Sequence, residues 1–125
     1  MNNQLQQVVS EIDQEVRSHP WFDFHVLEYD GYRLSIVGGQ DLTYSHELEL
    51  IFEDVFFASI FFEGWHTDTD RPVIELPSKK LNKELNMKFE IQQGFQVFII
   101  HSEDFQNDIY VAAKTLCYST DTVYY

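Results

Sequence analysis

Hydrophobic positions near the start of the chain recur at helical spacing. Leu5, Val8, Val9, Ile12 and Val16 fall at i, i+3, i+4, i+7 and i+11, one narrow stripe of an amphipathic helix predicted over residues 3–18. Gln, Glu, Asp and Ser fill the opposite side, and His19-Pro20 ends the run because a residue before proline is pushed out of the α region. A stripe this narrow fits a helix lying across one face of a sheet. The pattern then changes period. From Tyr44, Leu48, Leu50 and Phe52 alternate with Glu47, Glu49, Ile51 and Glu53, which is the period-two signature of a half-buried strand. After Glu53-Asp54 the run VFFASIFF is too short to span a bilayer as a helix and reads as a strand buried on both faces. The segment Tyr44–Phe62 is thus the expected centre of the fold.

Around it the pattern predicts further strands. WFDFHVLEY and YRLSIVGG flank Asp30-Gly31, a pair suited to a two-residue type I′ turn that would set Tyr29 opposite Tyr32. Gly38-Gly39-Gln40-Asp41 reads as the next turn. Residues 63–72 are a loop by composition, VIEL is a short strand, and Ser78 is placed to cap a one- or two-turn helix, KKLNKELN, with Leu81 and Leu85 inward and Asn86 at its end. MKFEI and FQVFIIH, separated by Gln92-Gln93-Gly94, read as a second hairpin. The segment from Ile109 to Tyr118 has mixed propensity; a strand antiparallel to FQVFIIH is the simpler topology. Residues 119–125 form a tail expected to fray unless its tyrosines dock. No repeat or linker interrupts the chain. The expected architecture is α+β: a single domain over 1–125, with one N-terminal helix packed on a mostly antiparallel sheet or partly closed barrel of about six to eight strands over about 22–118.

Charge changes the functional picture more than composition does. The 21 acids and 8 bases give −13, and the excess lies early: residues 1–75 hold 15 acids and 3 bases. Such a field repels phosphate backbones and anionic membranes and attracts basic protein surfaces. Glu47, Glu49 and Glu53 on one strand face, with Glu63, Trp65, Asp68 and Asp70 in the following loop, are the candidate protein-binding residues. The bland reading of the same residues is an exposed strand face, a solvated loop and a tryptophan folded back onto the core. The single cysteine, Cys117, excludes an internal disulfide and suits a reducing compartment. With neither a signal-peptide pattern nor an eighteen-residue apolar run, a cytoplasmic protein is expected.

Chemistry-bearing motifs are sparse. The five histidines form no HxH, HxxxH or HExxH spacing, and Cys117 has no CxxC partner, so no metal or other cofactor is expected. His66 with Asp68 and Asp70 is the nearest approach to a ligand set. The sequence lacks a GxSxG elbow, a P-loop and a glycine-rich dinucleotide motif, so the expectation is not an enzyme. In size, acidity and single-domain build the chain resembles bacterial immunity proteins, a resemblance of general style that covers no motif and carries no residue across. Three functions follow from this reading. The first is a protein-binding domain, an inhibitor or immunity-type protein engaging a basic surface. The second is a small-ligand binder with an aromatic pocket. The third is a metal-dependent enzyme whose histidines and carboxylates meet only in three dimensions.

Overall fold

A computed structural model describes residues 3–125; residues 1 and 2 of the expected domain lie outside the described residues. The predicted helix, α1, covers Asn3–Arg17, and Leu5, Val9, Ile12 and Val16 are its buried stripe. Each such side chain contributes about 1.5–3 kcal/mol when fully removed from water. Polar contacts fix the helix where it lies. The Asp13 carboxylate accepts from the Val73 N–H at 2.7 Å, Tyr118 Oη donates to Glu11 at 2.9 Å, and Arg17 donates to the carbonyls of Thr69 and Asp70.

The strands are β1 (Phe22–Tyr29), β2 (Arg33–Gly39), β3 (Ser45–His46), β4 (Leu48–Ser59), β5 (Trp65–Thr67), β6 (Ile74–Glu75), β7 (Gln96–Ile100), β8 (Ile109–Ser119) and β9 (Val123–Tyr124). Seven of them form one antiparallel sheet in the order β5-β1-β2-β4-β8-β7-β6, curled into a half-barrel, and β3 pairs with β9. This is the α+β architecture that the patterning predicts. The central position of β4 and the antiparallel pairing of β7 with β8 also agree with it. The main core lies between α1 and the face carrying Leu34, Ile36, Leu48, Leu50, Phe52 and Phe98. A second helix, α2 (Lys79–Lys88), covers the other face only at one end, over Val97, Ile99 and Ala112.

Several local expectations are overturned. The hairpin turn is shifted by one residue. Only Gly31 has positive φ, at 93°, Asp30 N–H donates to the Arg33 carbonyl, and Tyr29 pairs with Leu34 rather than Tyr32. Asp30 instead closes the turn through its carboxylate, which accepts from the N–H groups of Tyr32 and Arg33. Gly38 and Gly39 belong to β2, not to a turn. Gly38 is needed there because a Cβ would stand 2.6 Å from the Phe22 ring and 2.7 Å from that of Phe24.

The second half of β4 is not buried on both faces. Asp54 has φ 55°, and a bulge at Phe56 breaks the alternation, leaving Phe56, Ala58 and Phe62 exposed. The hairpin from MKFEI does not form either. Met87 and Lys88 extend α2, and Glu90 takes φ 53° to end it in a Schellman arrangement. There the Ile91 N–H reaches the Asn86 carbonyl at 2.9 Å and the Glu90 N–H that of Met87 at 3.4 Å. Ser78 caps α2 by accepting from the Leu81 N–H at 3.2 Å. The tail docks: Val123 and Tyr124 pair with His46 and Ser45, and Tyr125 Oη lies 3.2 Å from His46 Nδ1. No helix among the described residues is long and apolar enough to cross a membrane.

Candidate functional site

Strand alternation decides which carboxylates meet. In β4, Leu48, Leu50 and Phe52 point at α1, so Glu49, Ile51 and Glu53 point the other way. Register brings Val37 and Ser119 beside Glu49, Ser35 and Cys117 beside Ile51, and Arg33 and Thr115 beside Glu53. Among the described residues no helix covers these rows, because α2 lies over β7 and the adjoining part of β8. Glu53 is 3.4 Å from Arg33, a surface pair worth at most about 1 kcal/mol. Partial burial, with Glu53 and Glu49 alongside, pushes the Cys117 thiol above its ordinary pKa, so the thiol is held away from thiolate character.

The other expected binding residues do not join this face. Glu47 precedes β4 and lies 3.8 Å from His19 at the end of α1. Glu63 is exposed in the connection between β4 and β5. Trp65 is buried in β5, its ring stacked on Phe24 at 5.7 Å, and is not offered to a partner. Asp68 and Asp70 occupy the loop after β5 that Arg17 ties to α1, on the helix-covered side, with Asp68 turned to the Asp70 N–H and to Arg71.

At the far end of β4 the bulge opens an apolar groove of about 290 Å³, lined by Tyr29, Leu34, Phe56, Ala58, Ile60 and Phe62 among others. Phe62 is 74 % exposed and Tyr29 53 %. A cluster of exposed rings on a chain this small marks a surface available for contact.

The histidines are dispersed. His19 follows α1, His25 lies in β1, His46 is buried against Tyr125, and His66 and His101 stand on either side of the loop 102–108. His66 does not meet Asp68 or Asp70. Its Nδ1 is 2.5 Å from Asp23 and its Nε2 3.2 Å from Glu103. The hydrogen bond that its ring N–H donates to the Asp23 carboxylate raises its pKa against the opposing effect of burial, with the charges of Asp23, Glu103 and Asp104 adding to the rise. His101 repeats the arrangement, 2.8 Å from Asp108 and 3.5 Å from Glu75, beside a polar cleft of about 320 Å³ that Arg71 and Glu103 also line. In both clusters the carboxylates sit on opposite ring nitrogens, so the oxygens diverge from any single point. Among the described residues no three His, Cys, Asp or Glu side chains are arranged to hold a metal ion.

Comparison with known proteins finds no matching family model, no similar curated protein and no similar solved structure.

Asp23, Glu103 and Asp104 were not singled out by the sequence; β1 pairing sets Asp23 opposite His66, and the edge of β5 explains the other two. His66 N–H donates to Asp104 Oδ2 at 2.6 Å, and Glu103 N–H donates to the His66 carbonyl at 2.9 Å. Acidic loop residues thereby occupy hydrogen-bonding groups that an edge strand leaves open. For Glu103 and Asp104 the only signal in the sequence was composition, SEDFQND following FQVFIIH, whereas Asp23 stood within the predicted strand WFDFHVLEY.

Proposed function

We propose that this chain is a protein-binding domain that engages a basic partner surface through the uncovered face of its sheet. The observation that carries the reading is the pairing of Glu49 and Glu53 on a sheet face without helix cover, where Arg33 is the one facing cation in the cross-strand rows. A partner bringing Lys or Arg to this face gains attraction at long range, which acts mainly on association rate and specificity. An inhibitor of the immunity type, which covers a basic surface of another protein, fits the same arrangement. The ligand-binding reading has less support: the apolar groove is an open surface feature at the lower end of the size range of small-molecule sites.

The test is affinity capture from the native host's lysate at about 50 mM and about 500 mM salt, with E49K/E53K as control; the Debye length shortens severalfold over such a range. A partner held at low salt, released at high salt and lost in the variant supports the proposal. Capture that is indifferent to the double reversal refutes it.

A further inference from the structure

We infer that the apolar groove beside the bulge of β4 receives an extended segment of a partner protein, with an apolar side chain at its centre and Lys or Arg on its flanks. The inference rests on the protein-binding reading and gives the partner its chemistry.

Three observations carry it. The first is a free strand edge. β2 accompanies β4 only as far as Arg33 opposite Glu53, with one further bond from the Val55 N–H to the Tyr32 carbonyl at 3.2 Å. Beyond the bulge, Phe57, Ala58 and Ser59 pair with Ala112, Val111 and Tyr110 of β8, and among the described residues no strand meets their other side. Unpaired edge groups are a template for a strand from another chain. At the two ends of the sheet β6 has two residues and the loop 102–108 occupies the edge of β5 at His66; His25–Tyr29 of β1 and Gln96–Phe98 of β7 also lack an outer strand among the described residues.

The second observation is the groove itself, which runs along this open edge between Tyr29 and Leu34 of the hairpin and Ile60 and Phe62 beyond the strand. Its volume of about 290 Å³ suits one or two side chains rather than a drug-sized molecule, whose sites run from about 300 to 1,000 Å³. The third observation is charge complementarity. At the hairpin end the charge of Asp54 raises the phenol pKa of Tyr32, with burial and the charges of Glu53 and Asp30 adding to the rise and that of Arg33 opposing it. At the other end the exposed Glu63 follows Phe62. Two cations share this end, Arg33 paired with Glu53 and Lys114 over the Phe95 ring at 5.6 Å, and the carboxylates Asp30, Glu53 and Asp54 outnumber them. An apolar residue entering the groove therefore arrives with its neighbours over carboxylates at both ends. Of the charge types that could flank it, only Lys or Arg is attracted.

The experiment uses a fluorescein-labelled peptide with a Val-Leu-Val centre and two lysines at each end, titrated against the full chain. Its controls are the same peptide with a Ser-Gly-Ser centre and one with glutamates at each end. Backbone amide NMR shifts locate the binding. The expected result is saturable binding with shifts at Phe57–Ser59 and Phe62. Affinity should fall at least tenfold for either control peptide and for Phe62→Ser, a substitution at an exposed side chain that leaves the core intact. Equal binding of the Ser-Gly-Ser peptide, shifts confined to Glu49, Ile51 and Cys117, or no binding at all overturns the inference. Sedimentation showing a dimer that Phe62→Ser dissociates also overturns it and assigns the groove to a second copy of the chain. The two proposals separate cleanly. A lysate partner lost by E49K/E53K but kept by Phe62→Ser refutes the groove and leaves the sheet-face reading standing.

Discussion

Gly38 offers the sharpest test of how the core is packed. An alanine Cβ there would lie 2.6 Å from Phe22 Cε2, 2.7 Å from Phe24 Cε1 and 2.8 Å from Phe24 Cδ1, whereas ordinary contact begins at about 3.4 Å. Each ring would have to retreat by roughly 0.6–0.8 Å, the difference between those distances. Neither has room. The Phe22 ring is fully buried, 5.0 Å from the His19 ring and 5.3 Å from that of Phe24, and Phe24 is stacked on Trp65. Overpacking a tight core costs about 1–3 kcal/mol. Alanine recovers about 0.4–1 kcal/mol by restricting the unfolded chain, because the backbone at Gly38 is not in the left-handed region. The net expectation for Gly38→Ala is a loss of about 1–2 kcal/mol.

Gly39→Ala is the internal control. Its Cβ would meet the flexible end of Leu42 at 3.4 Å and the Glu47 N at 3.6 Å, so the change should lie between neutral and about 1 kcal/mol stabilising. Urea unfolding followed by far-ultraviolet circular dichroism and by tryptophan fluorescence measures both. If Gly38→Ala is as stable as Gly39→Ala, the rings are not packed against the backbone as described and the reasoning fails.

Two other expectations follow from single groups. Glu90 ends α2 at φ 53°, a conformation that costs an L-residue about 1 kcal/mol or more, so Glu90→Gly should stabilise the protein by about 0.5–1 kcal/mol in the same urea assay; a loss would mean that Glu90 makes a contact worth more than its strain. His66 has a raised pKa in the folded protein, so its contribution is fully present below the unfolded value of about 6.5 and is lost as pH rises through the folded value. The stability difference between wild type and His66→Gln should be flat at pH 5–6 and shrink toward pH 8–9, whereas a difference that grows with pH would reverse the sign and exclude the Asp23 and Glu103 pairing as its source.

The parts of the fold legible in the sequence are those set by one dominant period. The α1 stripe and the alternation of Leu48, Leu50 and Phe52 each leave only one workable orientation, and both appear as patterned. Failures occur where local composition is overridden by tertiary demands. Gly38-Gly39 has turn composition, but the glycine at 38 is fixed by two phenylalanine rings that come from another strand. Trp-His-Thr has loop composition, yet β1 supplies a partner for it. Met87 and Lys88 suit a helix or a strand, and the Ser78 cap starts a helix that runs through them. The candidate site was legible as charge but not as place. Counting acids revealed the excess, while the register of β2, β4 and β8 decided that Glu49 and Glu53 share a face and that Asp68 and Asp70 do not. The groove was invisible because a bulge, not a periodicity, creates it.

The geometry of the two helices explains why one face stays open. Seven strands at about 4.8 Å spacing make a sheet roughly 29 Å across, and the ten residues of α2 extend about 15 Å. α2 therefore reaches only the end of the sheet formed by β7 and β8, and the second face of β1, β2 and β4 is left to its own side chains. On that face Val37 and Ser35 are nevertheless buried, with Glu49 and Ile51 as their cross-strand neighbours. A second helix could not simply complete this face. Covering Glu49 and Glu53 with apolar groups would bury carboxylates at a cost of several kcal/mol each. Anything that covered the face would have to bring cations or leave water in place, which is the requirement the proposed basic partner meets.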